Sequence, residues 1–501
     1  MDQGRFRYRT VARKIADHIR TGRLAPGTRL PSVRRLSRQE DASITTILHA
    51  YELLEREGVV EAPPQSGYFV RANLSFLPPE PAESRPSLRP AYVEIADTVS
   101  DLLKITRRGD YVPFAAAIPA AELLPIRQLQ RIMAAISRRT DDTGVLYDLP
   151  PGNPELRSQL SRRSIDWGCR LGPDDFVITT GCMEALNLGL RAVARPGAVI
   201  AIESPAYYGI LLTIAGLGMQ ALELPTHPAL GVRPADLERV LKRRKIDACL
   251  LAPNFNNPLG SLMPDESKAE LVDLLARYEV PLIEDDIYGD LHLGERRPVS
   301  AKSFDRKGLV LLCSSFSKTV APGYRVGYNA PGRSYERVEQ IKFMNTVATN
   351  APCQIALAEF LRAGQYERHL IRMRESLRDQ IRVAQAIIAD RFPAGTRVSR
   401  PQGGFVLWIE LPSGTDSHHL YNRALENGIN LLPGLAFSNS DRFRSCIRIS
   451  CGHAWNDKRR DALATVGRIA VELAPKSARR SEASAGKSRK KVRNLRAGSG
   501  S

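Results

Sequence analysis

Val11, Ile15 and Ile19 recur at helical spacing near the start of the chain and lay one apolar stripe along a first helix. A glycine- and proline-containing turn over 22–27 ends it. Ser32 is placed to cap a short second helix through Gln39, with Val33 and Leu36 facing inward. A third helix starts at Ser43 and runs through Thr45, Ile47, Tyr51, Leu53 and Leu54 to Glu57. The stretch 58–70 reads as two short strands around a turn. Farther along, the period changes. Apolar runs of strand length at 176–178, 199–202, 248–252, 280–283 and 309–313 each open into a polar or glycine-containing turn. After the first of them, Leu186, Leu190 and Val193 share one helical face. A last apolar strand, 446–450, is interrupted by Arg448.

Chemistry gathers where these strands end. Lys318 leaves the 309–313 run within Ser314-Ser315-Phe316-Ser317-Lys318, and Arg325 lies seven residues beyond it. A lysine amine buried there loses solvation, its pKa falls, and it becomes a nucleophile toward an aldehyde. The hydroxyls of Ser315 and Ser317 and the guanidinium of Arg325 suit a phosphate dianion. These features together read as a covalent anchor for pyridoxal phosphate. Gly181, Cys182 and Met183 occupy a strand, turn and helix start, where free backbone N–H groups make an anion site. Tyr207 follows a strand at a point where its ring can stack on a pyridine. Asp285 fits the carboxylate that keeps a pyridinium protonated, and Asn257 and Tyr288 suit hydrogen bonds to the ring hydroxyl. Arg448 suits a bidentate grip on an amino-acid carboxylate.

From Tyr111 to Leu473 the order of these motifs resembles the fold-type-I aminotransferases. The resemblance implies Lys318, Asp285 and Tyr207 as the catalytic set, with Lys318 as Schiff-base lysine. It implies cofactor contacts from Asn257, Tyr288, Gly181, Cys182, Met183, Ser315, Ser317 and Arg325, and substrate contacts from Arg448 and Asn257. Tyr147 matches the tyrosine that crosses a dimer interface to the neighbour's cofactor phosphate.

The N-terminal helices and hairpin have the order of a winged helix-turn-helix. Leu30-Pro-Ser-Val-Arg-Arg-Leu-Ser37 and Tyr51-Glu-Leu-Leu-Glu-Arg-Glu-Gly58 resemble the GntR family of bacterial regulators. That resemblance implies DNA contacts from Arg34, Ser43, Thr45 and Thr46 and, at the wing tip, Ser66 and Gly67, with Arg35 and His49 as neighbouring candidates. Ile44 and Leu48 stand where many members carry arginine, so the operator sequence is expected to differ.

A GntR-type reader joined to an aminotransferase-like domain resembles the MocR subfamily. The resemblance implies a pyridoxal-phosphate-dependent transcriptional regulator that binds double-stranded operator DNA as a homodimer and senses an amino acid or amine through aldimine exchange. The alternative is an active aminotransferase that carries a DNA-binding domain.

Length and charge fit a composite chain of 501 residues with a net charge of +18. The expected layout is a mainly helical reader at 1–72, a linker and lead-in at 73–110, an α/β large domain at 111–365, a small α+β subdomain at 366–474 and a disordered tail at 475–501. The segment 77–90, rich in proline and charge, is expected to be an extended linker, stiff enough to space the reader from the cofactor domain and without a core of its own. From Lys476 onward nine basic residues face the single acid Glu482, which suits either nonspecific phosphate attraction or solubility. Seven scattered cysteines without a Cys-x-x-Cys pair argue against a disulfide framework and give no metal site. The charged N-terminus and the lack of a long apolar run predict a cytoplasmic protein.

Overall fold

The computed structural model describes residues 7–20, 24, 28–56, 59–62, 67–70, 77–93, 110–139 and 144–476. The chain divides into two compact units, Met1–Leu77 and Pro78–Ser501.

In the first unit, α1 (Arg7–Arg20), α2 (Val33–Gln39) and α3 (Ile44–Arg56) precede an antiparallel hairpin of β1 (Val60–Glu61) and β2 (Phe69–Val70). The predicted stripe is the packed one: Val11, Ile15 and Ile19 are buried with Leu36, Ile47, Tyr51 and Leu54 in one core. The predicted cap forms, Ser32 Oγ accepting from Arg35 N at 3.3 Å, and Ser43, the predicted helix start, caps α3 in the same way by accepting from Thr46 N at 3.1 Å. The wing has a further member that the sequence did not announce. Leu30 N donates to Tyr68 O and Val70 N to Thr28 O, both at 2.8 Å, so residues 28–30 pair with β2. Most of the predicted turn at 22–27 and all of 63–66, including Ser66, lie outside the described residues, as does 477–501 of the tail.

The second unit is built on a nine-stranded sheet. Its spatial order is Ala91–Tyr92, Gln220–His227, Val199–Ser204, Ala248–Leu251, Leu282–Asp285, Val310–Ser315, Gly327–Ala330 and Val177–Thr179, with Gly231–Val232 paired to Gln220–His227. The five strands from Gln220–His227 to Val310–Ser315 are mutually parallel. Their apolar runs are continuous because both faces are covered. Ile200, Ile202, Ala248 and Leu250 pack with Leu186, Leu190 and Ile214, whereas Ala201, Cys249 and Leu251 pack with Leu237, Leu271 and Leu274. All five strands therefore finish at one edge of the sheet, where ligands of doubly wound folds collect.

A second, antiparallel sheet orders Arg397–Val398, Val406–Glu410, Cys446–Ser450 and Leu432–Pro433. Its core includes Ile381, Ala384 and Ile388 of the helix Gln365–Arg391, Leu420 of Ser417–Glu426, and Leu463 and Val466 of Asp457–Leu473. This is the expected small subdomain with one addition. Val112–Pro113 pairs with Ile429–Asn430, and Val112 and Phe114 are buried in this core rather than in that of the large domain expected to begin at Tyr111.

The linker expectation needs a larger correction. Residues 78–92 are extended, yet they lie along the second unit instead of standing clear of it. Val398 N donates to Pro79 O at 2.9 Å, Ala82 N to Glu410 Oε2 at 2.9 Å, and Thr226 N to the Oγ of buried Ser84 at 3.0 Å. Glu83 pairs with Arg233, and Ala91–Tyr92 adds an antiparallel edge strand beside Gln220–His227. Proline lacks the N–H that a strand ladder needs but keeps its carbonyl, so a proline-rich segment can dock through acceptors without any strand-like pattern.

Candidate cofactor and DNA sites

The strand ends of the second unit enclose a cavity of about 340 Å³. Cys182, Met183, Tyr207, Asn257, Asp285, Tyr288, Ser315, Ser317, Lys318, Arg325 and Arg448 all line it. Residues far apart in sequence thus converge on one cavity.

Lys318 is half-buried, and its Nζ donates to Ala117 O at 2.6 Å. Burial lowers its pKa to about 8; the Arg448 charge adds to this and Asp285 opposes it. Burial raises the Asp285 carboxyl to about 6, against hydrogen bonds from Ile287 N at 3.2 Å and from Cys182 Sγ at 3.5 Å. Cys182 is therefore a neutral thiol donor to that carboxylate, its own pKa pushed well up by burial.

Gly181 has φ +88° and ends the strand Val177–Thr179 as N-cap of the helix Cys182–Val193. A Cβ there would collide with the Arg325 guanidinium, so glycine keeps the strand end, the helix N-terminus and that cation together. Arg325 Nη1 donates to Ser317 Oγ at 3.3 Å, and Nη2 to Thr180 O at 3.1 Å. Behind this cup, buried Lys342 donates to Glu184 Oε2 at 2.9 Å, and Glu184 accepts from Thr180 N. Gly209 lies against Tyr207, where a Cβ would strike the phenol ring.

Arg448 is the extreme case. It is 0% exposed, and Nε, Nη1 and Nη2 have no hydrogen-bond partner. Its guanidinium lies 5.5 Å from the Phe437 ring centroid. Asn257 Oδ1 is likewise buried without a partner. A buried cation with all its donors unmet is costly, and the deficit disappears when a carboxylate arrives. The orphaned arginine and asparagine beside a nucleophilic lysine, the glycine cradle and the Arg325, Ser315 and Ser317 set together fit an amino acid and pyridoxal phosphate.

Of the expected cofactor residues, two do not line this cavity: Gly181 lies behind it, against the Arg325 guanidinium, and Tyr147 is elsewhere, 78% exposed. The sequence reading missed Ala117, Glu203, Tyr208 and Asn256, which also line the cavity. Glu203 begins the Glu-Ser-Pro-Ala-Tyr run whose signal was its tyrosine, and burial raises its carboxyl to about 8. Ala117 lies in an alanine run without any chemical signal.

In the first unit, Arg34, Arg35, Ser43, Thr45, His49 and Gly67 are exposed. Thr46 is half-buried, and its hydroxyl is 2.8 Å from Ser43 Oγ, so that hydroxyl is engaged within the helix start. The His49 ring meets Tyr8 edge-on at 5.9 Å. Arg29 was not anticipated. Its guanidinium lies over Phe69 and borders Gly67, whose φ is +87°, which brings a cation to the wing.

A doubly wound sheet with strand-end ligands around a lysine, completed by a small α+β subdomain, is the fold of the pyridoxal-phosphate-dependent transferases of fold type I, here preceded by a winged helix-turn-helix. Comparison with known proteins agrees for both units. The profile of aminotransferase class I and II matches residues 121–465, and that of the bacterial regulatory proteins of the gntR family matches 7–70. The uncharacterized HTH-type transcriptional regulator YdcR of Escherichia coli is 36% identical over 93% of this chain and 99% of its own. The 2-aminoadipate transaminase of Thermus thermophilus is 31% identical over 71% of this chain and 89% of its own. Among solved structures, LysN, an alpha-aminoadipate aminotransferase from Thermus thermophilus complexed with N-(5'-phosphopyridoxyl)-L-leucine, superposes with a TM-score of 0.69 at 27% identity, covering 75% of this chain and 95% of that one. The chain belongs to the aminotransferase class I and II family and, with its gntR-type reader, to the MocR-type HTH transcriptional regulators. No helix among the described residues is long and apolar enough to cross a membrane.

Proposed function

We propose that this regulator couples operator binding to capture of an α-amino acid in the cavity. The observation that carries the reading is Arg448: a buried guanidinium with no partner, in the same cavity as Lys318. When bound, pyridoxal phosphate supplies an electrophilic carbon that a lysine amine and an incoming primary amine can occupy in turn. Lys318 is the residue that would hold it covalently, and its lowered pKa leaves a useful fraction of neutral amine near neutrality. Arg325, Ser315, Ser317 and the N-terminus at Gly181, Cys182 and Met183 would hold the phosphate. Asp285 would face the ring nitrogen, Asn257 and Tyr288 the ring hydroxyl, and Tyr207 the ring face. Arg448 and Asn257 would take the effector's carboxylate.

The reader is proposed to contact double-stranded operator DNA through Arg34, Arg35, Ser43, Thr45, Thr46, His49 and the wing at Ser66 and Gly67. A homodimer belongs to the same proposal. Val145, Leu146, Tyr147 and Leu149 are exposed, and so are Phe343, Met344 and Val347. An apolar surface of this kind suits a second copy that receives Tyr147 at its phosphate site. The proposed location is the cytoplasm.

An effect on DNA requires the effector to bind two arrangements of the protein with different free energies. The deciding experiment incubates the pure protein with pyridoxal phosphate and a panel of amino acids and follows operator affinity and keto-acid formation together. The expected result is an amino acid that shifts operator affinity. Keto-acid turnover with DNA affinity indifferent to every amine would replace the switch by an active aminotransferase that carries a DNA-binding domain.

A further inference from the structure

Helix α3 has two faces of opposite character. Ile47, Ala50, Tyr51 and Leu54 are each 0% exposed and pack into the reader core. On the other side, Thr45 and His49 are exposed, and so are two large aliphatic side chains, Ile44 at 50% and Leu48 at 36%. Besides Leu77 at the end of the unit, these are the exposed large apolar side chains among its described residues. Arg34, Arg35 and Arg38 are exposed on α2, so the apolar pair is presented beside a cationic helix. That charge suits a polyanion rather than an apolar protein partner.

We infer that Ile44 and Leu48 read thymine 5-methyl groups in the major groove, so that the operator half-site carries T at the two positions they cover. The inference rests on the DNA-reading function proposed above and sharpens it to a base. Neither side chain has a donor or an acceptor. Placed against the guanine O6 and N7 edge or the adenine N6 amino group, an aliphatic chain would strip water from polar atoms and return no hydrogen bond. Thymine is the base whose major-groove edge offers a methyl group. The two residues are one turn apart, about 6 Å along the helix axis. At about 3.4 Å per base-pair step this separates the two thymines by roughly two steps. Ile44 begins the helix, where the residues of a recognition helix that reach base edges are found.

The experiment starts by enriching duplexes from a randomised pool with the full-length protein, then replaces each dT of the selected half-site with dU, which pairs identically but lacks the methyl. Two positions, separated by about two base pairs, should each lose about fourfold in affinity, the worth of one buried methyl. Ile44→Ala should abolish the dT-over-dU preference at one position and Leu48→Ala at the other. Alanine at exposed helical positions does not threaten the fold. Ile44→Arg gives an independent gain of function, converting the preference at its position from T to G. Indifference to dU at every position, or discrimination that survives both alanine variants, overturns the inference while leaving DNA reading intact. A change in self-association in those variants, without a change in dU discrimination, assigns the pair to a contact between copies. Failure of any duplex to enrich overturns the DNA-reading function and this inference with it.

Discussion

The cofactor cavity and the DNA-reading face deploy similar side chains under opposite conditions. Arg448 and Arg34 are both arginines proposed to meet an anion, but Arg448 is fully buried with every donor unmet, whereas Arg34 is exposed. Lys318 is shifted by its surroundings to about 8. The difference separates two kinds of anion recognition. In the cavity, desolvation has already been incurred on folding, so a ligand that matches gains a large interaction. On the reader, solvation is lost only on binding and the gain per contact is small and screened by salt. The cavity should therefore answer to pH and to single substitutions, and the reader to ionic strength and to the sum of many contacts.

Loss of Lys318 should have the largest effect. Lys318→Ala should eliminate covalent capture of pyridoxal phosphate while the protein stays folded, because the phosphate set at Arg325, Ser315 and Ser317 is untouched. Borohydride reduction followed by peptide mass mapping reads this directly. An adduct on another lysine of the wild type would remove Lys318 from its role.

Next is Arg448, where binding and stability should move in opposite directions. Arg448→Leu should weaken binding of α-amino carboxylates about 10- to 100-fold, as expected for one charged hydrogen-bonding partner, while binding of amines without a carboxylate stays near wild type. The same change removes an uncompensated buried cation, so the protein without cofactor should gain stability on the order of 1–4 kcal/mol. Urea melts and effector titrations of one variant test both signs. A variant that loses stability would show the guanidinium to be satisfied in solution.

The pH dependence follows from two opposed shifts. Lys318 falls from 10.5 to about 8 on folding, so between those values the unfolded chain binds more protons and stability rises with pH. Asp285 rises from 3.8 to about 6, so between those values the folded chain binds more protons and stability falls with pH. The cofactor-free protein should therefore show a flat stability minimum between about 6 and 8 from these two groups. Capture of pyridoxal phosphate should rise with a midpoint near pH 8, where the amine becomes neutral. In Arg448→Leu that midpoint should move upward, because the Arg448 charge lowers the Lys318 pKa. Stopped-flow capture rates across pH, in both proteins, measure the two midpoints.

The same contrast explains what could be read from the sequence. Most of the cavity residues singled out in the sequence were legible because they sit at or just beyond the end of an apolar run, and a parallel sheet brings those ends to one edge whatever their separation along the chain. Arg448 stood out as a charge inside a strand. Ala117 was invisible, since it contributes a carbonyl that any residue possesses. The pairing of Val112 with Ile429 and of residues 28–30 with β2 was invisible as well, because such short pairings carry no periodicity of their own. Residues 78–92 were misread as a free spacer for a related reason. Their attachment depends on carbonyl acceptors and on partners such as Glu410 and Thr226, which are distant in sequence. In the reader, helix spacing sufficed for the three helices and their buried faces, since an apolar stripe is set by local period even where its partner is distant in sequence.

The smallest predicted effect is at Arg34, and it tests the reader side of the comparison. Arg34 is exposed in the first turn of α2, where a cation and free N–H groups can meet one DNA phosphate. Arg34→Ala should lower affinity for the selected operator and for unrelated duplexes by a similar factor, because a phosphate contact carries no sequence information. Releasing one fewer counterion should also flatten the slope of log K against log salt by about 0.9. Thr45→Ala, one residue into α3, should instead change which sequences are preferred and leave that slope alone. The cavity variants give the control: Lys318→Ala and Arg448→Leu should leave the salt slope of effector-free DNA binding unchanged, since neither side chain lies in the reader. Binding isotherms at several salt concentrations separate the cases. If Arg34→Ala alters sequence preference while the slope stays at the wild-type value, Arg34 reads a base edge, and the apolar pair at Ile44 and Leu48 then shares the groove with a hydrogen-bonding partner instead of specifying its bases through methyl contacts alone.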